Sequence, residues 1–252
     1  MSNPSTTPAR TKKRNLAIGS GVVAAALLFG WFSYSATKPE ATASGPSSSD
    51  AVAEVSPAPQ DDTYAQLAKL ARRDAKDPLA QGRADAPVVL IEYADFRCGF
   101  CGKFARDTEP DLVKKYVDAG KLRIEWRNFP IFGEESEAAA RGAWAAGQQG
   151  KFWEFHAAAY EEGAKEKGFG DDRLKALARQ AGVADVDCFV RDVASEDARK
   201  AVSRDQEEAY GLGATSTPSF LINGRPIAGA QPAETFTQAI DAALATAAGG
   251  AK

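Results

Sequence analysis

Leu16 to Tyr34 is apolar or small throughout, and no charge follows it until Lys38. That is close to the length of about 20 residues that a bilayer-spanning helix needs. Lys38 to Asp62 is rich in Ala, Ser, Pro, Thr and Glu, shows no sustained period and reads as a flexible tether. From residue 63 the pattern becomes that of a folded domain. Leu67, Leu70 and Ala71 share one face of an amphipathic helix that starts near Tyr64 and is ended by Asp77-Pro78. Gly82–Pro87 is turn-rich, and Val88–Tyr93 is an apolar run of strand length. Phe104, Leu112, Val113 and Tyr116 are the core positions of a helix expected over Gly99–Ala119, kinked at Pro110 and stopped by Gly120. Leu122–Phe129 reads as a second strand, so the three elements form a βαβ unit with a right-handed crossover.

The middle of the chain is helical. Glu134–Glu162 is Ala-rich and carries Trp144, Phe152, Trp153, Phe155 and Tyr160. Asp171–Ala181 predicts a further helix with Asp at its start, and Val183–Tyr210 one or two more. Ser219–Ile222 is a short strand, Asn223-Gly224 a hairpin signal, and Arg225–Ala228 the returning strand. Ala233–Ala247 closes the chain with Phe236, Ile240 and Leu244 on one face.

Charge sharpens the N-terminal reading. Residues 1–14 hold Arg10, Lys12, Lys13 and Arg14 and no acid; without those four charges the remainder carries a net −7, against −3 for the whole chain. A basic cluster ahead of an apolar span keeps that end in the cytoplasm, and Trp31 and Tyr34 lie where interfacial aromatics gather. The expected order is a basic cytoplasmic tail (1–14), a transmembrane signal anchor (15–36), a flexible linker (37–62) and one extracytoplasmic domain (63–252). The rival is a cleaved signal peptide. Its apolar region is usually about 7–15 residues, shorter than this one, and the candidate cleavage site Ala41-Thr42-Ala43 lies well past the run. In either case the domain is exported, where disulfides persist. The net negative charge and the lack of a basic patch argue against nucleic acid as a partner.

The single histidine, His156, excludes metal sites built from several histidines. It lies in the aromatic helix segment Lys151–His156 and reads as a packed residue rather than a catalytic base. The chemistry lies instead in Cys98-Gly99-Phe100-Cys101, which follows the first strand and opens a helix. Two cysteines three apart share a helix face, and the first sits where unpaired backbone N–H groups favour a thiolate. The pair is therefore a candidate redox dithiol, with Cys98 the nucleophile, Cys101 the resolving thiol and Arg97 a neighbouring source of positive potential. The plain alternatives are a structural disulfide or half of a zinc site; the latter lacks nearby ligands, because the remaining Cys188 and His156 lie in the helical block. Cys188, between Val186 and Phe189, reads as a small core residue, the alternatives being an intermolecular bridge or a regulatory thiol. Glu92 lies within the apolar strand, six residues before Cys98, where a buried carboxylate is costly unless it has a partner or a task; Asp95 is closer but falls in the loop.

Glu92–Cys101 and Ala214–Gly224, with Thr217-Pro218 before the late hairpin, resemble the thioredoxin fold and, more narrowly, the DsbA-like extracytoplasmic thiol–disulfide oxidoreductases. The resemblance covers residues 77–247. It implies an α/β thioredoxin-like fold with a helical insertion at about 134–211, preceded here by the transmembrane helix. It further implies that Glu92 shuttles the proton of the inner thiol, that Pro218 is cis beside the disulfide, and that the Thr217 backbone binds an extended substrate segment. No metal or organic cofactor is implied. The partners would be exported cysteine-containing proteins and a membrane redox protein that resets the pair. The family often has Pro-His between its cysteines; Gly99-Phe100 stands here, which points to a less stabilised thiolate and a weaker oxidant. A reductase or isomerase of the same class, and a non-catalytic tethered binding module or chaperone, are the competing readings.

Overall fold

A computed structural model describes residues 59–250. The basic tail, the anchor and the linker up to residue 58 lie outside the described residues. Among those described, no helix is long and apolar enough to cross a membrane.

Five strands form one sheet in the order β1-β3-β2-β4-β5, built from β1 (Ala80–Gln81), β2 (Val88–Ala94), β3 (Leu122–Asn128), β4 (Ser219–Ile222) and β5 (Arg225–Ala228). β2 and β3 are parallel and every other pair is antiparallel. β2 is buried at every position, which its unbroken apolar run requires of a central strand. Its alternation divides the core. Val88 and Leu90 pack with Phe104, Leu112, Tyr116, Phe220, Phe236 and Ile240 on one face. Val89, Ile91 and Tyr93 pack with Phe129 and Leu221 on the other, backed by Leu67, Leu70 and Ala71. The first face is covered by α2 (Gly99–Asp107), α3 (Glu109–Leu112) and α9 (Ala233–Gly250).

Between β3 and β4 lie α4 (Glu134–Gln148), α5 (Phe152–Ala159), α6 (Asp171–Gln180), α7 (Val186–Val193) and α8 (Glu196–Gly211). Phe152, Phe155, Leu174, Leu177 and Phe189 of these helices, with Phe169 from the segment between α5 and α6, form a separate cluster that reaches Ala94, Phe96, Trp126, Cys98 and Cys101. The helical block thus closes over the end of β2 that carries Cys98.

Several elements depart from the sequence pattern for local reasons. The first helix, α1, spans Pro59–Ala68, taking in the end of the expected linker and stopping well before Asp77. The backbone N–H groups of Arg72 and Arg73 donate to the Glu125 carboxylate at 2.9 and 2.8 Å, which draws the chain out of helix. The helix expected over Gly99–Ala119 breaks at Thr108 (φ −120°, ψ −49°) instead of kinking at Pro110. Pro110 falls in the first turn of α3, where its missing N–H leaves no bond unmade, and Val113–Val117 then widens into a π-helical turn. Glu134–Glu162 is interrupted at Gln149-Gly150, where Gly150 has φ +68°. Val183–Tyr210 holds two helices, capped by Asp185 and Ser195. β1, two residues long, is too short to carry a period. The hairpin needs its glycine: Gly224 has φ +83°, and a Cβ there would collide with the Tyr64 carbonyl of α1.

Candidate active site

β2 delivers the chain to Asp95, whose buried carboxylate fixes the approach to α2. It accepts from Arg97 N (2.7 Å), Ile131 N (2.7 Å), Phe132 N (3.2 Å) and Ser136 Oγ (2.8 Å), while its backbone oxygen accepts from Cys98 N and from the Tyr160 hydroxyl, each at 2.9 Å. Asp95 is therefore committed to holding the loop. Cys98 is the N-cap of α2, its sulfur accepting from Cys101 N at 3.4 Å. Across the cleft, the Cys98 thiol donates to the Thr217 carbonyl at 3.2 Å, and the Thr217–Pro218 peptide is cis. Cys98 is 5% exposed and Cys101 0%.

Burial and hydrogen bonding separate the two sulfurs. The Cys98 pKa is lowered from 9.0 to about 6, first by a hydrogen bond from Cys101, against the cost of desolvation, and then with help from the backbone N–H groups of Cys101 and Phe100. Burial pushes the Cys101 thiol well above 9.0, helped by its bond to Cys98 and by repulsion from Cys98 and Glu92. An acidic outer thiol over a protonated inner one is what stepwise disulfide exchange requires: one sulfur ready to form a bond, the other held back until a proton is removed.

Glu92 is 1% exposed, so it is not a water-facing strand residue. Alternation places it on the same face as Leu90 and Ala94, toward α2, and neither carboxyl oxygen has a hydrogen-bond partner among the described residues. Desolvation, then repulsion from Glu109 and Cys98, raises its pKa well above 4.5. Sequence reasoning missed Glu109: the helix expected over Gly99–Ala119 was read from its apolar positions, and the break at Thr108 that precedes the buried Glu109 leaves no mark on them.

Two expectations are corrected, and one feature is new. Arg97 does not face the thiolate: its guanidinium bonds the Phe132 carbonyl (3.1 Å) and lies 3.5 Å from Glu135. Cys188 is half-buried rather than in the core, with its sulfur 3.6 Å from Asp192 Oδ2, because neighbouring Phe189 takes the inward position on α7. Phe100 stands 65% exposed and Phe132 48% exposed, giving the site an apolar rim that the sequence did not announce. Beside Cys98 lies a cleft of about 200 Å³ lined by Phe96, Gly102, Arg106, Tyr160 and Lys165. His156 is packed, as expected, among Phe96, Trp126, Phe152, Trp153 and Tyr160.

Residues 74–242 match the thioredoxin family. The chain is 32% identical over 148 residues to the probable disulfide bond formation protein D of Bacillus cereus, a match that covers 57% of this chain and 68% of that protein. It is 31% identical over 171 residues to the Na(+)/H(+) antiporter NhaA 3 of Salinispora tropica, covering 66% of this chain but 25% of the antiporter, a likeness to one segment of that protein. The crystal structure of α-DsbA1 from Wolbachia pipientis superposes with a TM-score of 0.60 at 25% identity, covering 69% of this chain and 94% of that one. The chain belongs to the thioredoxin family and, within it, to the DsbA-like protein thiol–disulfide oxidoreductases.

Proposed function

We propose that the chain exchanges disulfides with exported cysteine-containing proteins, outside a membrane to which residues 15–36 anchor it. Cys98 forms the bond to substrate, Cys101 resolves it, Glu92 exchanges the Cys101 proton, and the Thr217-Pro218 segment lies along an extended substrate strand. In the oxidising direction a substrate thiolate attacks Cys98 Sγ and the Cys98–Cys101 bond breaks. Cys101 leaves and takes a proton from Glu92. A second substrate thiolate then attacks the mixed disulfide at the substrate sulfur, and Cys98 leaves as a thiolate. The substrate thiols lose two electrons and two protons. The cysteine pair gains the two electrons; one proton is made good at Glu92 after its own has gone to Cys101, and the other goes to solvent because Cys98 leaves as a thiolate. The pair then passes the electrons to a membrane redox partner.

The observation that carries this reading is the geometry of the pair: Cys98 caps α2 against the carbonyl of the cis Thr217-Pro218 segment with Cys101 fully buried behind it, an arrangement that lowers the Cys98 pKa to about 6 and raises that of Cys101. The value for Cys98 falls between about 3.5 for DsbA and about 7 for thioredoxin, which supports an oxidant weaker than a Pro-His pair would give. The test is a pH titration of thiolate ultraviolet absorbance on the reduced chain, alongside turnover of a dithiol peptide. A transition near pH 6 that disappears in Cys98→Ser is expected. A single ordinary thiol transition near 9, without turnover, would favour a binding module.

A further inference from the structure

Next to the nucleophile, α2 has a bare stretch of surface. Gly99 and Gly102 follow Cys98 along it, and a basic side chain lies over each. A Cβ at Gly99 would stand 3.1 Å from Lys165 Nζ, and one at Gly102 would stand 2.9 Å from Arg106 Nη1 and 3.2 Å from the Tyr160 ring. The two glycines therefore keep open a surface that larger residues would crowd, and two cations settle on it. Arg106 reaches back one turn from the end of α2, and its Nη1 donates to the Tyr160 carbonyl at 2.7 Å. Lys165 comes from the segment between α5 and α6.

These cations border an open groove of about 570 Å³, lined by Gly99, Phe100, Lys103, Arg106, Asp107 and Lys165. Three positive side chains share it with one carboxylate, and that carboxylate, Asp107, is taken by Lys103 at 2.5 Å. Arg106 is held by a neutral carbonyl, and Lys165 has Glu166 Oε1 at 3.9 Å, beyond hydrogen-bond reach. The start of α2 at Gly99 adds the positive end of a helix. Like charges gathered in this way repel unless an anion joins them, and the groove stands on a chain whose residues 15–252 carry a net −7. Glu161, Glu162 and Glu166 line the smaller cleft beside Cys98 and not this groove. Cys98 also lines only the cleft, so the anion that the groove fits comes from outside the chain.

We propose that the groove takes the carboxylate of an Asp or Glu that a substrate chain carries next to its reacting cysteine, with Lys165 and Arg106 as specificity-determining residues. This rests on the exchange at Cys98 proposed above. A substrate sulfur that reaches Cys98 brings its neighbouring residues beside Gly99, where the two cations and the exposed Phe100 stand. The attraction acts on encounter, before a bond between sulfurs exists, so it shows in the rate of the first attack and weakens with salt.

The test follows oxidation of three dithiol peptides by the oxidised full chain. They differ only in the residue flanking each cysteine, which is Asp, Asn or Lys. Each rate is divided by that of the same peptide with hydroxyethyl disulfide, an uncharged oxidant, which removes the effect of the peptide's own thiol acidity. In dilute buffer the Asp peptide reacts about fivefold faster than the Asn peptide and the Lys peptide is slowest; in about 1 M salt the spread collapses. Lys165→Met and Arg106→Met each reduce the Asp-to-Asn ratio, and the double variant brings it close to one. Equal normalised rates for the Asp and Asn peptides with the unaltered chain overturn the proposal. So does an unchanged ratio in Lys165→Met, an exposed site, whether or not Arg106→Met folds. An equal loss for all three peptides, with the Cys98 thiolate transition moved up in pH, assigns the cations to the thiolate and overturns it as well. If the unaltered chain oxidises none of the peptides, exchange at Cys98 fails first and the groove with it.

Discussion

Cys98 and Cys101 are the same residue type three positions apart at one helix end, and their surroundings make them opposite in acidity. Cys98 caps the helix at its N-terminus, where donors favour its thiolate; Cys101 is sealed in and faces negative neighbours. Glu92 belongs to the buried side of that divide. Its raised pKa has a consequence for stability. Below the ordinary carboxyl range Glu92 is neutral in both folded and unfolded chains; as pH rises above 4.5 the unfolded chain ionises first, and the folded state loses ground. Glu92→Gln removes that penalty. Its advantage in thermal unfolding is small near pH 4 and grows to about 1–4 kcal/mol at neutral pH, while turnover falls on the order of 100-fold. Calorimetry at both pH values together with dithiol-peptide turnover checks this. Cys98, Cys101, Glu92, Thr217 and Pro218 were legible because each sits at a fixed place relative to a strand or a turn. Glu109 and His156 were not: their juxtaposition depends on the break at Thr108 and on how α5 packs, and neither leaves a mark on periodicity.

Among the elements, β3 ties the layers together. Its Glu125 is fully buried and bonds Arg123 (2.8 Å) and Arg127 (2.9 Å), as well as the backbone of Arg72 and Arg73. Arg72 then reaches Asp205 on α8 at 2.6 Å, and Arg127 reaches Glu208, which also accepts from Tyr93. Burial opposes ionisation of Glu125, but these donors outweigh it and hold its pKa down to about 2. The stability this supplies is fully present above about pH 4.5 and drains away as pH falls toward 2, to the extent of about 3 kcal/mol. Glu125→Gln strips the charge from between two buried arginines and destabilises by about 3–5 kcal/mol at pH 7. Denaturant unfolding at pH 7 and pH 3 should show that gap narrowing in acid; a constant gap would mean the effect is steric. Strands β2, β3, β4 and β5 were readable from apolar runs and the Asn223-Gly224 turn. The ends of α1 and α2 were not, because a carboxylate 52 residues away in sequence and the need to seat Pro110 decide them.

Taken whole, the described domain is a redox helix mounted on a sheet, with a helical block set over its end and an aromatic rim of Phe100 and Phe132 open to a partner. The fold class and the inserted block were evident from the order of elements. The rim was not, since an exposed aromatic has the same letter as a buried one. Under the proposed function such a surface accepts exported chains, holds each through Cys98 and releases it through Cys101. Non-reducing electrophoresis of membrane extracts carrying the full chain with Cys101→Ser follows those partners directly. Without the resolving thiol, reducible adducts of exported cysteine proteins accumulate as a ladder, and Cys98→Ser yields almost none. Equal ladders from the two variants would contradict the assignment of attacking and resolving sulfur.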